Sequence, residues 1–234
     1  MILHLLSLLV HSPLYPHWLE VRKKIEGDRA VTQNLRGDIL EVGAGDGSRK
    51  AYFLATQKNI RRYLATDCAD WDREFEHFNQ LNKKWGKLAE IFFGYSQRIK
   101  LDNICSATSL PHNDNSFDAH LSFEVLEHIN NPLKYFLEAT RVVKPGGKII
   151  FSSPFLYRMH GGDPDHRLDY FRYAQGFFYY IAEKNHLKVV KIVSNTGYGT
   201  TLAAMTNQWL VCRIKNGNPW MRIFLFLIAP PPFF

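Results

Sequence analysis

Residues 38–50 read DILEVGAGDGSRK. An apolar run, Ile39, Leu40 and Val42, carries one acid, Glu41, and is followed by glycine at every second position, Gly43, Gly45 and Gly47. Such a run is a buried strand, and glycines just beyond it let the main chain turn sharply and approach a neighbour with no Cβ in the way. The stretch SRKAYFLAT then reads as a helix, whose first N–H groups point back at the glycines. Strand, bared loop and helix N-terminus in that order make a ligand cradle at the carboxyl end of a parallel sheet, although a tight turn without a ligand has the same glycine alternation.

Working outward, strand-like and helix-like runs alternate, the pattern of an α/β fold with a parallel sheet and helices on both faces. RRYLATD is a second strand ending in Asp67. After a long polar and aromatic stretch, 69–97, RIKLDNIC is a third strand and FDAHLSF a fourth. Pro132 opens a helix over NPLKYFLEATRVV, KPGG turns the chain, and KIIFSSPF is a fifth, buried strand. AQGFFYYIAEKNH is a further helix, LKVVKIV a sixth strand, and the segment at 200–215 is expected to supply the last one.

With 234 residues, 46% hydrophobic and 22% charged, the chain has the balance of one folded domain and not that of a disordered segment. Cys68, Cys105 and Cys212 are odd in number and far apart, which excludes a disulfide framework or a CxxC zinc pattern and points to a reducing, cytoplasmic setting. The net charge of +7 is scattered among acids, as in VRKKIEGD and NKKWGK, and reads as a solvated basic surface. MILHLLSLLV lacks a basic leader and the length of a span, so a docking helix is expected there; RIFLFLIAPPPFF is likewise too short to span. Two apolar ends on a basic body allow peripheral contact with a membrane. The expected layout is a single domain over 1–234: a helical extension at 1–30, a ligand-binding core at 38–156, an acceptor-side loop and last strands at 157–215, and an apolar tail at 216–234.

Asp67 sharpens the reading of the glycine loop. A carboxylate at the tip of the second strand accepts hydrogen bonds only, and can take both hydroxyls of a ribose. Nicotinamide-binding proteins share that device, but GAGDG is GxGxG, and the third glycine of the dinucleotide fingerprint falls at Ser48. A pyrophosphate site is disfavoured.

The chain resembles the class I S-adenosylmethionine-dependent methyltransferases, in particular the type 11, small-molecule branch. The likeness runs through DILEVGAGDG, the acid of YLATD, SATSLPHNDNSFDAHLSFEVLEHINNP and RVVKPGGKIIFSSPF, in the family's order and spacing. It implies a doubly wound, mostly parallel seven-stranded sheet and S-adenosylmethionine as cofactor. By this resemblance Glu41 helps to hold the methionine amino group, Gly43, Ala44 and Gly45 lie against the cofactor, Asp67 takes the ribose hydroxyls, and Cys68 and Phe123 flank the pocket. One position departs from the family: Ser106 stands where an acid commonly accepts from the adenine amino group. A neutral acceptor contributes about 1 kcal/mol against about 1.5–3 kcal/mol for a charged one, so cofactor affinity should be somewhat lower. Ala107 adds a backbone N–H.

For the acceptor side, PFLYRMHGGDPDHRLDYFRY packs His160, Asp163, Asp165, His166, Asp169 and Arg172 into a loop containing Gly161 and Gly162. An imidazole titrates near working pH, and a carboxylate orients it, so His160, or else His166, with Asp169 is the expected general base. Alternatively Asp169 simply pairs with Arg172 at i, i+3. A proline after the fifth strand, then a histidine and a DYxR run (Asp169 to Arg172), resembles a subset of the family that accompanies surface-polysaccharide or glycolipid assembly, though the spacing here is stretched. His128, in EVLEH, is a third base candidate or a structural residue at a helix start. No metal is expected, since no tight ligand spacing such as HExxH occurs. Base methylation of nucleic acid is disfavoured because SFEVLEH stands where an NPPY-like run would bracket a flipped base. The expected function is therefore O-methylation of a small-molecule or lipid- or glycan-linked acceptor, the alternatives being a non-catalytic binding module of the same fold and an RNA methyltransferase.

Overall fold

The structure, a computed structural model, describes residues 26–45, 47–68, 101–157, 159–160, 168–216 and 220. The described residues group into two compact units, 32–68 with 101–192, and 26–31 with 193–216 and 220. The expected docking helix and apolar tail lie outside the described residues.

The larger unit is built on strands β1 (Gly37–Val42), β2 (Ile60–Asp67), β3 (Asn103–Ile104), β4 (Phe117–Phe123) and β5 (Val143–Ser152). They form one sheet in the order β3-β2-β1-β4-β5, every pairing parallel. β1 sits in the middle, flanked by β2 (Val42 opposite Thr66) and β4 (Glu41 opposite Leu121). Strand order therefore reverses between β1 and β4, where such sheets form a crevice beyond their carboxyl ends. Strands covered on both faces need apolar side chains throughout. Ile39, Leu40, Ala65 and Leu121 are accordingly fully buried.

Helix α1 (Ser48–Thr56) follows β1 directly. Helix α2 (Pro132–Val142) begins as expected at Pro132, capped by the Asn131 side chain, which accepts from the Lys134 N–H at 3.1 Å. Its Tyr135, Phe136, Ala139 and Val142 recur at helical spacing and are buried. The KPGG stretch is a bulge inside β5: Phe117 pairs with Val143 and Ala119 with Lys148, leaving 144–147 outside the ladder. Helix α3 (Gln175–Lys184) buries Ile181 and Ala182.

Two expected strands are not found, so the sheet has five strands among the described residues and not seven. LKVVKIV carries no ladder through 187–192, and Val190 is 87% exposed. Alternating apolar residues fit a pleated surface, but they make a strand only where a neighbour offers a ladder. The segment at 200–215 is helical, within α4 (Tyr198–Asn216) of the smaller unit. There Leu202, Ala203, Ala204 and Met205 are good helix formers, and they prevail over the β-branched threonines beside them. No helix among the described residues is long and apolar enough to cross a membrane.

Candidate functional site

At the end of β1 the chain leaves through Gly43 and Gly45, both left-handed at φ 72° and 55°. The two glycines serve different neighbours. A Cβ on Gly43 would lie 2.2 Å from Val125 Cγ2, whereas one on Gly45 would meet nothing within 4 Å among the described residues. The first is a packing requirement, and the second leaves the main chain bared to open space. Between them Ala44, buried, donates its N–H to Thr66 O at 3.0 Å, tying the loop to the end of β2.

Asp67 closes that strand with its carboxylate turned to the loop: Oδ2 accepts the Gly45 N–H at 2.9 Å and Oδ1 the Cys68 N–H at 2.7 Å. A carboxylate offers about four lone-pair sites, so about two stay available to hydroxyls of a ligand. The open side of Gly45 and these spare acceptor sites fit an adenosyl ribose. Phe123, at the end of β4, is buried and carries the Arg49 guanidinium 4.6 Å from its ring centroid. Ala107 is buried, while Ser106 is exposed and its Oγ accepts from the Thr108 N–H at 3.2 Å. Glu41 is fully buried and takes the Tyr63 hydroxyl on Oε2 at 2.8 Å. Burial, followed by the charge and hydrogen bond of Glu41, pushes the Tyr63 phenol well above its ordinary range, so Tyr63 stays a donor.

The second cluster grows from the exit of β4. Glu124 takes a left-handed φ of 57°, a strained conformation for a non-glycine residue, and is held by Ser152 Oγ, which donates to its Oε1 at 2.7 Å. A 3₁₀ turn, Leu126–His128, follows. The segment returning after β5 clamps this turn: the Tyr170 N–H donates to Glu127 O at 2.8 Å and the Tyr173 hydroxyl to Leu126 O at 3.2 Å. That clamp brings His160 to His128, with ring centroids 4.8 Å apart.

Asp169 lies against both of the partners considered for it, Arg172 and His160. Its carboxylate, fully buried, takes the Arg172 guanidinium on both oxygens, and Oδ2 accepts the His160 N–H at 2.7 Å and lies 3.5 Å from His160 Nδ1. Arg172, more than any other group, holds the Asp169 carboxyl down to about 2, so it is ionised at neutral pH and keeps a negative charge beside the imidazole. His166, Asp163, Asp165, Gly161 and Gly162 lie outside the described residues. The residue that sequence reasoning passed over is Glu127, which is fully buried with Oε1 3.6 Å from His160 Nε2 and 3.8 Å from His128 Nε2. Its one signal was its place beside His128 in EVLEH.

Two family models, each described as a methyltransferase domain, match residues 40–151 and 96–210. The mitochondrial ubiquinone biosynthesis O-methyltransferase of Dictyostelium discoideum is 46% identical over 41 residues, 18% of this chain and 13% of that protein. The ubiquinone/menaquinone biosynthesis C-methyltransferase UbiE of Rickettsia bellii is 30% identical over 117 residues, 50% of this chain and 44% of that protein. The matches thus span less than half the length of either relative. Among solved structures, phosphoethanolamine N-methyltransferase 2 of Haemonchus contortus in complex with S-adenosyl-L-methionine superposes with a TM-score of 0.55 at 14% identity, covering 88% of this chain and 47% of that one, a likeness of fold. Matched family models, a parallel sheet with its order reversed at β1, and an acid-tipped second strand facing a bared glycine loop lead to one assignment: the chain belongs to the class I S-adenosylmethionine-dependent methyltransferases, in the type 11 branch.

Proposed function

We propose that the protein transfers the methyl group of S-adenosylmethionine to a hydroxyl of a small molecule, free or carried by a lipid or glycan. A quinol head group is the first acceptor to try, since the relatives that match by sequence are named for quinone biosynthesis. The observation that carries the hydroxyl is the His160 ring, set between the Asp169 carboxylate and the buried Glu127.

When bound, S-adenosylmethionine supplies a methyl group already activated on a sulfonium. The open side of Gly45 admits it, and Asp67 accepts from its ribose hydroxyls. On the acceptor side, His160 Nε2 receives the hydroxyl proton while Asp169 holds the opposite edge of the ring. With its proton taken by His160, the acceptor oxygen would be the nucleophile toward that activated methyl group. Alignment contributes on the order of 7–11 kcal/mol to such a step, and a positioned base about 10²–10⁴-fold in rate.

The test is incubation with S-adenosylmethionine labelled in its methyl group and a panel of quinol, sugar and lipid-linked acceptors. Label recovered in an ether is the expected result. Label found only on carbon or nitrogen would overturn the hydroxyl assignment, and tight cofactor binding with no transfer to any acceptor would favour a non-catalytic binding module.

A further inference from the structure

We propose that Glu127, His128 and His160 form a binding site for a divalent first-row transition cation of the zinc type. One ligand atom from each, a carboxylate oxygen and two imidazole nitrogens, lies within 4.8 Å of the others. Glu127 is fully buried, and neither of its carboxylate oxygens accepts a hydrogen bond among the described residues. A buried carboxylate without donors is strongly disfavoured unless positive charge sits against it. Both histidines turn their Nε2 atoms toward that carboxylate, at 3.6 Å and 3.8 Å from Oε1, within ion-pair range and beyond hydrogen-bond reach.

The tautomers support a cation there. His128 Nδ1 is 2.7 Å from Leu168 O, so Nδ1 carries a proton, and in the neutral ring the lone pair is on Nε2. His160 Nδ1 faces the Asp169 carboxylate at 3.5 Å, leaving its Nε2 on the Glu127 side. Each imidazole thus has its outer nitrogen against a carbonyl or carboxylate and its inner nitrogen toward a common point, the arrangement that orients metal-ligating histidines and raises their basicity. Arg172 is forked onto Asp169, and its guanidinium acts on Glu127 through its charge, with no hydrogen bond to either Glu127 oxygen. Ligand atoms bound at about 2.0–2.1 Å in a tetrahedron stand about 3.3 Å apart, so the Glu127 distances need to contract by a few tenths of an ångström, and the two imidazole nitrogens, within 4.8 Å of each other, need to close by more as their rings turn.

Two imidazoles and one carboxylate suit zinc, iron, cobalt or nickel better than magnesium, and three protein ligands leave a position open. That position is where an acceptor hydroxyl would bind and lose its proton more readily. His160 is then a ligand in the loaded protein and a base only in the unloaded one. Cation binding stands apart from the methyl-transfer reading; its effect on the acceptor rests on that reading.

The full chain, stripped with a chelator and freed of it, is titrated with Zn²⁺, Co²⁺ and Mg²⁺ by calorimetry, and S-adenosylhomocysteine binding is measured on the same samples. The expected result is one equivalent of Zn²⁺ or Co²⁺, with the visible bands of tetrahedral Co²⁺, and far weaker Mg²⁺ binding. Glu127→Gln, close in shape, and His160→Ala should each lower Zn²⁺ affinity by about 100-fold or more. Asp169→Asn, one step removed, should lower it by about 10–100-fold. Retained S-adenosylhomocysteine binding in Glu127→Gln shows that the variant is folded. Absence of Zn²⁺ binding by the wild type, or binding that survives both Glu127→Gln and His160→Ala, overturns the proposal, the latter pointing to another site such as the free Cys68 and Cys105. If Zn²⁺ binds as described and S-adenosylhomocysteine does not, the cation site stands and the methyltransferase reading falls.

Discussion

Gly43 and Gly45 are two residues apart, share a left-handed backbone and should respond differently to the same added methyl group. In either position an L-residue with positive φ costs about 1–2 kcal/mol. For Gly45→Ala that is the whole expected cost to the fold, because its methyl group meets no atom of the described residues. For Gly43→Ala the methyl group must also displace Val125 Cγ2 from 2.2 Å, and overpacking of this kind adds about 1–3 kcal/mol. Urea unfolding should therefore place Gly45→Ala about 1–2 kcal/mol below the wild type and Gly43→Ala about 2–5 kcal/mol below it. Adding Val125→Ala should restore much of the second loss and none of the first. Calorimetric titration with S-adenosylhomocysteine should show the reverse emphasis, with Gly45→Ala losing at least about tenfold in affinity, about 1.4 kcal/mol, because its methyl group occupies ligand space. Wild-type affinity in Gly45→Ala would refute the placement of the cofactor against this loop, and equal stability of the two variants would refute the packing role of Gly43.

Other outcomes follow from the same geometry. His160→Ala should lower turnover by about 10²–10⁴-fold with cofactor affinity almost unchanged, because the proposed cofactor site is built by Asp67 and the glycine loop and not by His160; full turnover in this variant would remove His160 from the reaction. His120 is fully buried, neither ring nitrogen has a hydrogen bond among the described residues, and burial pushes its pKa down to about 4. The unfolded chain takes up that proton at a higher pH than the folded one, so stability is present above about 6.5 and lost as pH falls toward 4; from pH 8 to pH 4.5 the wild type should lose on the order of a few kcal/mol relative to His120→Leu, and parallel pH profiles would contradict this. The full chain should float with vesicles of anionic lipid, whereas a chain lacking residues 1–12 and 221–234 should stay in the soluble fraction; equal recovery would remove the membrane contact.

Parts of the fold whose determinants are local could be read from the chain. β1, the glycine loop and Asp67 depend on a continuous apolar run, backbone freedom and an acid at a strand tip, all visible within a few residues. β4 and the start of α2 were legible for the same reason: FDAHLSF alternates little because both its faces are covered, and Asn131-Pro132 is a helix start by side-chain chemistry alone. LKVVKIV was not, because a strand needs a neighbour that the chain must bring from elsewhere, and nothing local shows whether it does. The cluster of Glu127, His128, His160 and Asp169 was half legible. His160 and Asp169 stood out as an imidazole and a carboxylate in one polar loop, but Glu127 gains its character from burial under the segment that returns after β5. No spacing rule reaches from 127 to 160, since the two positions meet only once β4 and β5 are paired and the Tyr170 N–H has closed on Glu127 O.

The most direct test of the central claim is calorimetric titration of the wild type and Asp67→Ala with S-adenosylhomocysteine, and of the wild type with NADH. Asp67 links the Gly45 N–H to the expected ribose position, so the wild type should bind one equivalent of S-adenosylhomocysteine, Asp67→Ala should bind it markedly less well, and NADH should give no binding heat. Tight NADH binding together with no heat from S-adenosylhomocysteine or S-adenosylmethionine would contradict the account.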